Sequence, residues 1–137
     1  MDDLVQFLHA RLDEDEQTAR EAGGRWMVLP VSGWVHTAPA PSHEWQHPGT
    51  DHHVASVPLD TDRAHIVRHD PGRSLAEVEA KRQILDEIVP AVDGMQEGLA
   101  FEYGQGVMRP VSRDLLRLLA LPYADHPDYR DEWQPGS

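Results

Sequence analysis

Apolar residues recur with a helical period at the head of the chain, where Leu4, Phe7, Leu8 and Leu12 fall on one face and Asp3 with Gln6 forms a capping pair. The continuation, residues 13–21 (DEDEQTARE), is nearly all polar; Glu16 and Arg20 at i,i+4 support it and Gly23-Gly24 stops it. The period then shortens to that of a strand. Residues 25–29 (RWMVL) and 33–36 (GWVH) are rich in aromatic and β-branched side chains, and residues 53–57 (HVASV) repeat the pattern before Pro58. These three runs predict a three-stranded antiparallel meander. Residues 37–52 carry Pro39, Pro41, Pro48 and Gly49 and read as a loop between the second and third strands.

The stretch from Asp60 to Pro90 organises the centre as a short helix, a break at Asp70-Pro71 and a longer helix. Proline has no N–H and a fixed φ, so Pro71 suits the first helical position with Asp70 before it as N-cap. Ser74 with Glu77 offers an alternative start as a capping box. Along the second helix Leu75, Val78, Leu85 and Val89 make a stripe interrupted by Arg82, with Glu77 and Lys81 as a surface pair. That stripe serves the domain's own core or the seam of a homodimer. Residues 91–94 read as a turn, and Gly98, Gly104 and Gly106 oppose any long element over 95–106. A last helix follows over residues 110–121, with Val111, Leu115, Leu118 and Leu119 facing in, and Pro122 ends it. In the tail, residues 122–137, Tyr123, Tyr129 and Trp133 wrap the body, because aromatics in an ordered tail find apolar cover. The expected architecture is α+β in a single domain over residues 1–137: an N-terminal helix, the meander, a helix-break-helix centre and a C-terminal helix with a wrapped tail.

Charge narrows the function classes. There are 24 acidic and 12 basic residues, a formal net charge of −12. Such a balance argues against direct binding to nucleic-acid phosphates and fits solubility or an acidic surface that docks on a basic partner. Cysteine is absent, which removes disulfides, thiolate metal sites and a Cys nucleophile. The N-terminus has no basic and apolar signal pattern, and no apolar run approaches the ~18 residues of a membrane span, so a soluble cytoplasmic protein without a membrane association is expected.

Three blocks carry a family likeness: residues 1–8 (MDDLVQFL) with the acidic run behind them, residues 64–82 (AHIVRHDPGRSLAEVEAKR) and residues 118–133 (LLALPYADHPDYRDEW). They resemble a family of small acidic actinomycete and actinophage proteins catalogued as domain of unknown function 6221. The resemblance implies a source and brings no activity. More loosely, the order of elements is similar to small accessory proteins of phage early regions, which are interaction modules.

The sharpest chemical pattern is His43-Glu44-Trp45-Gln46-His47, a His-Glu-x-x-His with His53 where a metzincin has its third ligand. That resemblance implies zinc held by His43, His47 and His53 with Glu44 as general base on the bound water. Thr50 stands where the metzincin pattern has glycine. Two histidines at i,i+4 face one metal only on a continuous helix, and Pro41 and Pro48 bracket the segment, so surface-loop histidines are the favoured reading. A second i,i+4 pair, His65 and His69 with Asp70 adjacent, is the best-placed candidate elsewhere: two imidazoles for a metal, or His69 with Asp70 as an acid–base pair. Against it stands packing of Ala64, Ile66 and Val67 with Asp70 spent as a cap. The acidic run lacks the alternate spacing and glycine of an EF-hand, no serine sits in a nucleophile elbow, and Gly104-Gln-Gly106 lacks the strand and further glycine of a phosphate loop. The expected function is therefore a non-enzymatic acidic interaction protein with no catalytic set and no cofactor, the alternative a zinc-dependent hydrolase.

Overall fold

Residues 2–30, 32–38, 53–106 and 110–136 are described by the computed structural model. Their order is α1 (Asp2–Glu21), β1 (Trp26–Val28), β2 (Val35–Thr37), β3 (His53–Ala55), α2 (Asp60–Arg68), α3 (Pro71–Gln83), a π-helical turn (Ile84–Ile88), α4 (Val89–Tyr103) and α5 (Val111–Ala120). Short 3-10 turns follow at Leu121–Tyr123 and Asp131–Trp133. The fold is the expected α+β arrangement. It divides into two compact units, Met1–Glu14 with Val78–Ser137, and Asp15–Glu77.

In the unit over Asp15–Glu77 the sheet has the order β1-β2-β3, antiparallel throughout, with Met27 opposite His36. The register slips between Val35 and His36, which pair with Ala55 and His53, so Val54 is the extra residue of a bulge. The hairpin joining β1 to β2 closes through Trp34 and Leu29: the Leu29 N–H donates to the Trp34 carbonyl at 2.8 Å. Gly33 makes the turn at φ +69°, where a side chain would be strained and would also meet the Arg63 guanidinium, 2.6 Å from a Cβ built there. Arg63 in turn donates to the carbonyls of Val57 at 2.5 Å and Pro58 at 3.0 Å and pairs with Asp60 at 2.8 Å, holding the exit of β3 against the start of α2. No residue of α2 is buried; Ile66 and Val67 are half covered and Ala64 is exposed, so less of this helix packs inward than its apolar residues suggest.

The polar end of α1 stays helical, and Arg20 bonds Glu16 at 2.8 Å through Nε. At its other end the helix starts at Asp2, so Asp3 lies in the first turn, favourable to the helix dipole, and pairs with Arg130 at 2.8 Å.

In the other unit the apolar face of α1 meets Val78, Leu85 and Val89, together with Leu116, Ala120 and Trp133, in one buried cluster. Three residues of the predicted stripe, Val78, Leu85 and Val89, thus lie in this core while Leu75 does not, and Arg82 reaches Asp13 at 2.6 Å. Phe7 is the hub of the tail: its ring centroid lies 4.9 Å from Trp133, 5.7 Å from His126, 6.1 Å from Tyr129 and 6.3 Å from Tyr123. Tyr129 meets Trp133 edge-on at 5.7 Å. The expected wrapping of tail aromatics is therefore present, centred on one α1 residue.

Two expectations fail here. Residues 91–94 are not a turn, because the chain is helical from Val89 to Tyr103. Proline within a helix removes an i→i−4 bond, but the Val89 N–H already donates to Ile84, five residues back. The π turn has therefore interrupted the regular ladder just before Pro90, which takes a first-turn position of α4 and leaves no donor missing. On α5, Ser112, Leu116 and Ala120 are buried and Leu115 and Leu119 pack beside them, whereas Val111 and Leu118 are about half exposed. The buried face is centred on Leu116, and at 100° per residue both Val111 and Leu118 fall well away from it.

Replacing Phe7 by Ala removes the ring on which four tail rings converge and is expected to cost roughly 3–5 kcal/mol. Urea unfolding followed by tryptophan fluorescence measures it.

Candidate functional site

Asp70 is the most constrained ionisable group among the described residues. It is 1% exposed. As N-cap it accepts the Arg73 N–H at Oδ1, 2.8 Å, while Oδ2 accepts the Trp26 N–H at 3.2 Å and the Arg25 Nε at 2.7 Å. The Gly72 N–H donates to the Gly24 carbonyl at 3.2 Å, a second tie between the start of α3 and the residues before β1. The Ser74 alternative is not used as a cap, for the Ser74 hydroxyl donates back to the Asp70 carbonyl and Glu77 pairs with Arg73 at 2.7 Å. Burial by itself would raise the Asp70 carboxyl; the N–H groups of Arg73 and Trp26, then the bond and charge of Arg25, outweigh it and leave the group below its ordinary value. The three donors hold this carboxylate in place between the start of α3 and the start of β1.

The structure brings His65 and His69 together and leaves Asp70 out. The two imidazoles are exposed, with centroids 4.5 Å apart and planes at 43°, while the neighbouring carboxylate is buried and bonded to Arg73, Trp26 and Arg25. The pair at His65 and His69 is therefore an open surface feature, with no acid at its side from Asp70. His53 donates or accepts at Ser56 Oγ, 2.8 Å, and its ring meets Trp34 at 5.0 Å and His36 at 5.8 Å. His43, Glu44 and His47 lie outside the described residues, as does most of the proline-rich stretch between β2 and β3. Among the described residues no group of three or more metal-ligating side chains converges.

A second surface was not foreseen in the sequence. Helix α4 is mostly apolar, yet Val89 is its one buried residue. Met95 is 68% exposed and Tyr103 64%, with Ile88 half exposed just before the helix; at 100° per residue these three share one side, with half-covered Val92 and Leu99 between them. Phe101, on another side, is 96% exposed. Inward, Asp93 accepts the hydroxyl of buried Ser112, which fastens α4 to α5. From residue 84 to residue 103 there are five acidic residues and no Lys, Arg or His. The signal available beforehand was the density of apolar residues in 88–103; the glycines at 94 and 98 and Pro90 masked it.

Replacing Asp70 by Ala removes the cap and the acceptor of the Trp26 N–H, and is expected to cost about 2–4 kcal/mol. Asn keeps an oxygen for the cap and loses less. Because the folded-state pKa is depressed, the stability that Asp70 contributes is present above its ordinary value of 3.8 and drains away as pH falls through the lower folded value. Urea midpoints measured below about pH 4 should therefore fall more steeply with acid in the parent than in Asp70→Asn.

No helix of the described residues is long and apolar enough to cross a membrane. No curated protein and no solved structure matches the chain. A family model does match, over residues 1–135, and by that match the chain belongs to the family of unknown function DUF6221.

Proposed function

We propose that this chain is a non-enzymatic, acidic interaction protein, a cytoplasmic accessory factor of an actinomycete or its phage. Its partner presents an apolar ridge flanked by basic side chains. The observation that carries this reading is the side of α4 on which Ile88, Met95 and Tyr103 stand exposed within a stretch whose only charges are negative. An amphipathic basic helix has the matching chemistry. A second copy of the chain laid face to face would bring two stretches without a cation together, with Glu102 of each at the edge of the contact, which opposes a homodimer through this face. Nucleic acid is opposed by the same charges.

Magnitudes assign each contribution a role. Burying three such side chains returns on the order of 5 kcal/mol, comparable to the low end of association costs, so apolar contact alone gives weak binding. The acidic residues have to add encounter rate and selectivity. Gly94 and Gly98 have open space where a Cβ would stand.

The test uses the full-length protein and a lysine–leucine amphipathic helical peptide, followed by fluorescence anisotropy. Saturable binding is expected, weakened at least about tenfold in the double variant Met95→Ser, Tyr103→Ser and strengthened at low salt. A glutamate–leucine peptide of the same pattern should not bind. Equal binding of both peptides, or indifference to the double variant, contradicts the reading. Elemental analysis of untagged protein addresses the zinc-hydrolase alternative: no stoichiometric zinc is expected, and one zinc per chain that His43→Ala removes would replace the interaction reading with a metal site at His43, His47 and His53.

A further inference from the structure

The basic residues of this acidic chain are not spread evenly. Three of the twelve, Arg25, Arg68 and Arg73, line one open groove of about 580 Å³ in the unit over Asp15–Glu77. Its floor is apolar, made by Val28 of β1, Ala64 and Val67 of α2, and Ala76 of α3. Asp70 is the one acid among the lining residues, and its oxygens are already taken by Trp26, Arg73 and Arg25. The lining therefore carries a local excess of positive charge in a protein whose net charge is −12.

The arginines differ in how they are held. Arg25 is fixed through Nε to the buried carboxylate, and its side chain, 77% exposed, crosses Gly72 so closely that a Cβ there would lie 2.5 Å from Cδ. Using the Nε edge leaves the two terminal nitrogens of Arg25 with no bond to a described residue. Arg73 is likewise held through Nε, by Glu77. Arg68 has no ion pair among the described residues and stands exposed at the edge of the groove. A pre-positioned guanidinium with its terminal nitrogens available is the side chain best shaped for the oxygens of a carboxylate or phosphate. The size of the groove is that of a small-molecule site, and an apolar floor with a few convergent polar groups is the composition such sites have.

The geometry points to a binding site for a small amphipathic oxyanion: a carboxylate or phosphate ester whose acidic head meets Arg25, Arg68 and Arg73 while its aromatic or aliphatic body lies on Val28, Val67, Ala64 and Ala76. This site uses none of the α4 residues and does not rest on the function proposed for them. The N–H groups at the start of α3 are not its donors, because Gly24 and Asp70 already accept them.

Methyl shifts of Ala64, Val67, Ala76 and Val28 in the full-length protein, titrated with phenyl phosphate and with benzoate, test it. At least one of the two should saturate below about 10 mM, the tighter one naming the head group, while inorganic phosphate and benzyl alcohol bind at least about tenfold more weakly. Arg68→Gln should weaken binding about tenfold, a lost charge-assisted bond, and Ala64→Leu should weaken it by filling the floor from an exposed position. Met95→Ser on α4 should change nothing. No saturation with either anion, inorganic phosphate binding as tightly as phenyl phosphate, or titrations indifferent to both Arg68→Gln and Ala64→Leu would overturn the proposal.

Discussion

A carboxylate out of water is tolerated only when hydrogen bonds replace its hydration, and Asp70 meets that condition with three donors from two places in the chain. The sequence around it follows from the requirement. Pro71 opens α3 without bringing an N–H that would need its own acceptor, and Gly72 leaves room for the Arg25 side chain to reach the carboxylate. Arg25 and Trp26 stand at the start of β1, so one side chain sets both where a helix begins and where a strand is held. Its chemistry is consumed in doing so, which is why the adjacent histidines form a pair without it.

The unit formed by Met1–Glu14 and Val78–Ser137 depends on apolar contact instead. Phe7 gathers the tail rings, and Leu8, Leu12, Leu85 and Leu116 fill the space beside it. Helix α4 is the exception to that economy: it keeps Val89 inside, bonds Ser112 through Asp93, and leaves large apolar side chains in water. Natural surfaces seldom leave such residues aligned along one helix side without use, and the absence of any cation over 84–103 gives the surface a sign. In the unit over Asp15–Glu77 the pattern inverts, with three arginines around an apolar floor. A strongly acidic chain thus has exposed apolar residues in a stretch without cations and a groove lined by three arginines, features that a net charge hides.

Legibility in the sequence tracked how local each determinant was. The α1 face, the three strands and the Asp70-Pro71 break were readable because period, β-branching and proline act over a few residues. The tail was readable because its aromatics need cover. Helix α4 was not, since Gly94, Gly98 and Pro90 speak against a helix locally while the π turn at Ile84–Ile88 that accommodates Pro90 depends on packing around Leu85. The inward face of α5 was misjudged at Val111 and Leu118 because hydrophobicity marks candidates for burial, and the neighbouring helix decides which are chosen. Asp70 was recognised as a cap; its further bonds to Arg25 and Trp26, about 45 residues earlier in the chain, leave no mark that a one-dimensional reading can find. The arginine groove escaped for the same reason, since its residues lie on three separate elements.

Asp70 ties the start of α3 to the start of β1 as a carboxylate held by three donors. A carbon-detected titration of the Asp70 carboxyl in the full-length protein measures this directly. A midpoint below the ordinary value of 3.8 is expected. A midpoint at or above 3.8 would mean that burial outweighs the three donors and that they do not hold Asp70 as the ionised tie between α3 and β1.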